Sequence, residues 1–491
     1  MADPSQPCTS PFDAAAAAHL LSRAGFGGTP QQCRALAAMG RKRAIELLVD
    51  FESVEGESTP EGLFRSDIRR PATAEERRFV EDARRSQDEA ALERIQQERN
   101  RRDSEDRAQL TELRRWWMRR MVESPRPLEE KLTLFWHSHF ATGYRTVQDS
   151  YLLFLQNGLL RRHAAGNFAD LVFAILRDPA MLSYLDANEN RRQSPNENLA
   201  RELMELFVLG EGHGYTEGDI KEGARALTGY TFSDDEFAFD EGNHDWGEKT
   251  ILGRTGEWDG DGFARIILSR PECSEYLATK LYRYFVDDAP NSPDADGMRL
   301  VQAMAQTMRD GQYSLPPVLR QMFASDDFDR RRGCVVKSPV QLMVQSIRTM
   351  ELPVDDVMAL VQACDLMGQQ LLQPPNVKGW VGGRSWINTS TYFVRQNALV
   401  YLLTGQRPDR DSFGGADGWW DPQPLLADLG VADASSAATA DALAATLLAI
   451  NMSPTRRDEM AALIESHGLN RRGGAIAAVQ WISALPEFQL T

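Results

Sequence analysis

Residues 73–122 read TAEERRFVEDARRSQDEAALERIQQERNRRDSEDRAQLTELRRWWMRRMV and contain neither proline nor glycine. Fifty residues without a breaker form a long helix or a helical hairpin. The first two thirds are dense in Glu, Asp, Arg and Gln of mixed sign, which marks a solvated helix with i,i+4 charge pairs around Arg84–Arg107. Beyond it Leu110, Leu113, Trp117 and Met121 recur at helical spacing and should dock on a core.

The same punctuation extends in both directions. Upstream, Asp13 is placed to cap a helix over residues 14–23, Thr29-Pro30 opens another, and Gly25, Gly27, Gly28 and Gly40 mark ends. Downstream, from Pro127 to about Tyr230, helix follows helix, with breaks at Gly143, Asn157-Gly158, Gly166-Asn167, Asp178-Pro179 and the loop 186–195. Residues 231–252 change character. Phe232, Phe237 and Phe239 alternate with acidic residues, Asn243–Gly247 is a turn cluster and Lys249–Leu252 resumes apolar, which predicts one small β-hairpin. Helices then resume over 261–347, 354–366 and 392–403 and in the Ala-rich C-terminal part. The expected class is therefore mostly α: a large multi-helix globular body, one small β-hairpin near 231–252, and the charged helix or helical hairpin near 73–122. By composition the chain divides into an N-terminal helical segment (1–72), the charged helix (73–122), a main helical domain (123–404), and a linker at 405–425 leading a helical segment to 491. No internal repeat is visible.

The 491 residues are enough for a sizeable core, and 42% hydrophobic with 26% charged residues is the balance of a globular chain. Fifty-five Lys and Arg against 71 Asp and Glu give a net charge of −16, the wrong sign for a protein that neutralises phosphates along nucleic acid. The five cysteines are scattered without a CxxC pair, so neither a disulfide framework nor a thiolate zinc site is indicated. No stretch approaches a transmembrane segment, and residues 1–12 lack the basic and apolar regions of a leader. As given the chain reads as cytoplasmic, with export of a longer precursor left open.

Common catalytic and nucleotide motifs are missing. There is no GxSxG, HExxH or GxxxxGK[ST]; Gly242–Lys249 has Glu248 between glycine and lysine, and Gly210–Gly214 follows a helix, not a strand. No nucleotide cofactor motif is therefore expected. Trp258–Gly262 begins like a calcium loop, but Arg270 stands where the bidentate Glu belongs.

Three segments do carry chemistry. Phe135-Trp136-His137-Ser138-His139-Phe140 places two of seven histidines two apart at the end of an apolar helix. On a helix that spacing separates them by about 200°, so they meet on one ion only if the helix frays towards Gly143. In Asn198–Phe207, Asn198, Glu202 and Glu205 line up beside the apolar stripe Leu199, Leu203, Leu206 and Phe207, with Arg201 adjacent. His244-Asp245 sits in the turn cluster, followed by Lys249. Brought together, His137, His139, Glu205, His244 and Asp245 would be a mixed imidazole and carboxylate set suited to a divalent transition metal, Zn, Fe or Mn. Glu202 would then be general base or further ligand, and Arg201 and Lys249 would stabilise a developing anion. This reading is a metal-dependent hydrolase or oxidoreductase; the alternative is a non-catalytic scaffold or partner-binding protein in which the cluster is a buried polar network or a structural metal site. A separate loop, residues 373–386, sets Trp380 and Trp386 around Gly382-Gly383-Arg384, and two indoles with an arginine can wall a pocket for a sugar or an anion; the alternative is a loop pinned to the core by its tryptophans.

At these segments the chain resembles a bacterial family called domain of unknown function 1800. The resemblance rests on His19-Leu-Leu-Ser-Arg23-Ala-Gly-Phe26-Gly, Phe135–Gly143, Asn196–Phe207, Tyr215–Asp219, Ala224–Gly229, His244-Asp245 with Gly247 and Lys249, Pro375-Asn-Val-Lys-Gly-Trp380 and Pro486–Gln489. It implies a shared helical fold and draws attention to the same His and Glu positions, without a reaction. It also implies a partner, since genes of this family often neighbour those of a sulfatase-like or phosphatase-like protein.

Overall fold

The computed structural model describes residues 5–56, 62–289, 293–354, 356–406, 419–468 and 471–491. Most of the linker-like stretch 405–425, residues 407–418, lies outside them, as do the first four residues of the segment read for a leader. The protein is mostly α-helical, with two small antiparallel strand pairs among the described residues. None of the described helices is long and apolar enough to cross a membrane.

Local chemistry sets the first helices where the sequence predicts them. The Asp13 carboxylate accepts from the Ala16 amide at 2.9 Å and caps α1, Ala14–Ala24. The charged run is a helical hairpin. Thr73 and Glu76 form a capping box that opens α2, Ala74–Ser86; Gln87 at φ 53° ends it, and Asp88 caps α3, Glu89–Glu123. The two helices pack together, and Arg102 reaches back to Glu76 at 3.3 Å. Leu110, Leu113, Trp117 and Met121 are buried as their spacing requires. Each is worth roughly 1.5–3 kcal/mol of burial, which docks this half of α3 on the body while the outer half stays solvated.

Next comes α4, Pro127–His139, in which only Ser138 is not fully buried. It runs between two apolar cores. One core gathers residues of segments 17–51, 128–140, 160–230 and 251–328; the other joins Leu113, Trp117 and Leu134 to residues 340–488. Helix α5, Ser150–Arg162, packs on both α3 and α4. Helix α6, Asn198–Glu202, passes into one π-helical turn, Leu203–Phe207. It is followed by α7, Glu217–Ala226.

The single hairpin expected over 231–252 is instead two. Strand β1, Tyr230–Ser233, pairs with β2, Glu236–Phe239, so the chain already turns at Asp234, which adopts φ 56°. A second pair, β3, Lys249–Ile251, and β4, Arg254–Gly256, is closed by Leu252 and Gly253, both at positive φ. Two consecutive positive φ angles make the tight turn that matches strand twist, and an aspartate can start one where sequence alone suggests an exposed strand. Helices α8, Pro271–Phe285, and α9, Pro339–Met350, complete the frame around α4.

Candidate functional site

The metal-ligand set read from sequence does not assemble. Helix α4 remains intact to His139, and its two histidines diverge. The His137 Nε2 accepts a hydrogen bond from the Leu372 amide at 3.1 Å, and the ring stands edge-on to Trp117 and against Trp380. The His139 Nε2 lies 2.8 Å from the Phe207 carbonyl, in the other core. A carbonyl only accepts, so Nε2 carries the hydrogen and Nδ1 keeps a lone pair, which has no protein partner. The π-turn exposes the carbonyls that are used here: Leu206 accepts from the Tyr276 hydroxyl at 2.6 Å, Phe207 from His139.

The other candidates are engaged locally. Arg201 forks onto Glu217 at 2.8 Å and also pairs with Glu197 and Glu205. Burial, and then Glu205, raise the carboxyl of half-buried Glu202 above its usual range. His244 Nδ1 donates to the Thr228 carbonyl at 2.7 Å, and Asp245 binds Arg225 at 2.7 Å and the Gly247 amide at 2.9 Å. Lys249 donates to the carbonyls of Asp245 and Gly247. These bonds clamp the 240–249 loop to α7. No group of three or more His, Cys, Asp or Glu side chains among the described residues is arranged to hold a metal ion. His137, His139, Glu205, His244 and Asp245 therefore serve separate parts of the fold.

Both α4 histidines are fully enclosed, and burial pushes each down to about 3 from an ordinary 6.5; for His139, Lys280 adds to the effect. They are neutral in the folded chain but take up protons in the unfolded chain below about pH 6.5. Stability present above that pH is lost as the pH falls towards the folded value, by about 1.4 kcal/mol per pH unit for each histidine. Denaturant unfolding between pH 6.5 and 4.5 should thus be less steep by that amount in His137→Gln, and an unchanged slope would contradict the neutral assignment.

The loop with two tryptophans does build a cavity. Trp380, Arg384 and Trp386 line a space of about 440 Å³ between α4, α8, the start of α9 and the end of α1. Six basic side chains reach it: Arg23, Lys131, Lys280, Arg283, Lys378 and Arg384; Asp288 is the one carboxylate side chain among its lining residues. Sequence reading missed Arg23, Lys131, Lys280 and Arg283, which are far apart in the chain. The available signal was a lysine that follows Glu129 and Glu130 directly before the apolar run Leu132–Trp136.

Each cation is held differently. Arg23 donates to the carbonyls of Phe285 and Val286, both at 3.0 Å, and of Arg331 at 2.7 Å, while its Nε has no partner. Lys131 donates to the Gln341 carboxamide, and its ammonium position lies 5.0 Å from the Phe26 ring centre and 5.4 Å from that of Tyr284. Burial, reinforced by Arg23, pushes Lys131 down to about 7. Lys280 sits over the Tyr276 ring, lowered to about 8 by burial and by Arg283. Lys378 pairs with Glu211 at 2.6 Å. Burial raises the Asp288 carboxyl even though Val336 donates to it at 2.6 Å.

Glycine is required where the loop docks on α4. Gly379 has φ +73°, and a Cβ there would stand 2.2 Å from the Ser138 carbonyl oxygen. Gly379→Ala is expected to cost on the order of 2 kcal/mol and to displace Trp380 from the cavity wall. Its melting temperature and its Trp fluorescence should both change; a variant that melts and fluoresces like the parent would show that the loop does not dock this way.

Fold and cavity together define a mostly helical protein with a cationic, indole-walled pocket in an acidic chain. The chain belongs to the family described as protein of unknown function, DUF1800, whose model matches residues 19–490. Neither the curated proteins nor the solved structures include a match.

Proposed function

We propose that this protein binds a small anionic molecule in the cavity between α4, α8 and the 373–386 loop. One observation carries the reading: six basic side chains against a single carboxylate side chain line one cavity in a chain of net charge −16. Chance would favour acidic residues in such a chain, and basic side chains gathered around one space attract an anion. The volume falls in the ordinary range for small-molecule sites. Two buried N–H donors of the lining residues, Arg23 Nε and Trp380 Nε1, have no partner among the described residues, and an anion reaching them would accept from both. Trp380 and Trp386 add flat apolar walls, so the favoured ligand joins a charged group to a ring or a short chain. The metal-dependent hydrolase or oxidoreductase reading lacks a converging ligand set and is the weaker of the two.

Calorimetric titration with tripolyphosphate at low ionic strength tests the proposal. One ligand per chain is expected, with affinity that falls as salt is added. No heat, or binding of several equivalents that salt abolishes entirely, would overturn it.

A further inference from the structure

We propose that Lys131 is a nucleophilic amine and that the ligand of the cavity is an anion bearing an aldehyde or ketone, captured as an imine on its Nζ. This rests on the reading of the cavity as an anion site and specifies the ligand's chemistry.

Lys131 lies on α4, enclosed on all sides, yet it contributes to the cavity wall together with its neighbours Arg23, Tyr284 and Gln341. Its partners are a neutral carboxamide and two aromatic faces, and no carboxylate among the described residues is paired with it. An ammonium there would be a buried cation beside the fixed guanidinium of Arg23, an arrangement that favours loss of the proton. The neutral amine has a lone pair, and the remaining cations of the cavity are placed to hold the anionic end of a carbonyl compound. The depressed basicity of Lys131 agrees with this, but burial alone does not distinguish it. Lys337 is lowered equally, to about 7, yet its Nζ donates to the Phe488 carbonyl at 2.8 Å and it is not among the lining residues of the cavity.

The step balances without an oxidant or reductant. The Nζ lone pair forms a bond to the carbonyl carbon, the C=O π pair moves to oxygen, and a proton passes from nitrogen to that oxygen to give a carbinolamine. Its C–O bond then breaks as the hydroxyl takes a proton from solvent and leaves as water. Nitrogen returns its remaining proton to solvent, and one amine and one carbonyl have become one imine and one water.

Pyridoxal 5′-phosphate, an aldehyde with a phosphate on a ring, is the probe. The full chain is incubated with it at pH 7, reduced with borohydride and mapped by peptide mass spectrometry. With an amine fraction at pH 7 that is roughly a thousand-fold above that of an ordinary lysine, Lys131 should carry one adduct. Exposed Lys42 and buried Lys337 should stay unmodified, and an excess of pyridoxine 5′-phosphate, which lacks the aldehyde, should protect Lys131. Lys131→Met should abolish the adduct; if that variant does not fold, the map of the parent chain decides. Adducts on Lys280 alone, or on Lys337 as readily as on Lys131, would overturn the inference and leave the cavity reading standing. Calorimetric binding of pyridoxine 5′-phosphate without any adduct at Lys131 would do the same. If neither compound binds, the cavity reading falls, and this inference falls with it.

Discussion

Glu130→Ala should lower the free energy of unfolding by about 3–5 kcal/mol, the amount lost when one member of a buried ion group is removed and its partners stay buried. Glu130 lies on α4 with no solvent exposure. Its Oε1 accepts from Arg120 at 2.9 Å and from Arg161 at 2.8 Å, and its Oε2 accepts from Arg161 at 2.9 Å and from the Trp117 indole at 3.1 Å. Both guanidiniums also face the Trp116 ring, at 5.4 and 5.1 Å. One carboxylate thus ties α3 and α5 to α4, and alanine would remove the acceptor that two buried arginines share, leaving Arg120 its longer contact with Glu129 at 3.9 Å. Burial acts to raise the Glu130 carboxyl, but Arg161 and Arg120 outweigh it and hold the group below its usual range. Its contribution is therefore complete above the ordinary carboxylate pKa and is lost as the pH falls below it. Guanidinium unfolding at pH 7 and again in acid should show the deficit of the variant shrinking; a deficit that is small at pH 7, or independent of pH, would contradict this account of the node.

Removing two cations from the cavity should weaken tripolyphosphate binding by about 100-fold or more. The chosen pair is Lys280→Met with Arg384→Ala, because neither residue anchors the fold. Lys280 is half-buried on the face of α8 it shares with Tyr284, and Arg384 stands on a short 3₁₀ turn, Gly383–Trp386. A hydrogen bond to a charged group is worth roughly 1.5–3 kcal/mol, or about ten-fold or more in affinity for each one lost. Arg23 is left in place, since three backbone carbonyls depend on it. The double variant should melt close to the parent in the absence of ligand, because removing like charges relieves repulsion. Equal affinity in variant and parent would show that the anion binds elsewhere.

How far the sequence leads depends on the distance over which its signals act. Caps act within one turn, so Asp13, Thr73 and Asp88 fix helix starts that a reader of the chain can find, and the run 73–122 declares itself helical by lacking breakers. The turn at Asp234 is harder to read, since a non-glycine residue at positive φ leaves little trace in composition. For the histidines, the about 200° separation on α4 is the decisive quantity, and it holds because Phe140 caps a helix that stays regular to its end. The sequence-level cluster of His137, His139, Glu205, His244 and Asp245 required that helix to fray. The indole loop is different: Trp380, Arg384 and Trp386 lie within seven residues, so one wall of the cavity is legible. The opposite wall comes from residues 23, 131, 280 and 283, on helices that only tertiary packing brings together. A lysine such as Lys131 looks like an exposed position until the burial of its whole helix is known.

The claim on which the rest depends is that an anion sits among these cations, and its position can be seen directly. Crystals of the full chain grown with sodium tungstate, an anion that scatters anomalously, should show one ordered peak inside the cavity, within contact of Lys280 and Arg384 and facing Trp380. Peaks confined to the outer surface, with none between α4, α8 and the 373–386 loop, would contradict the account.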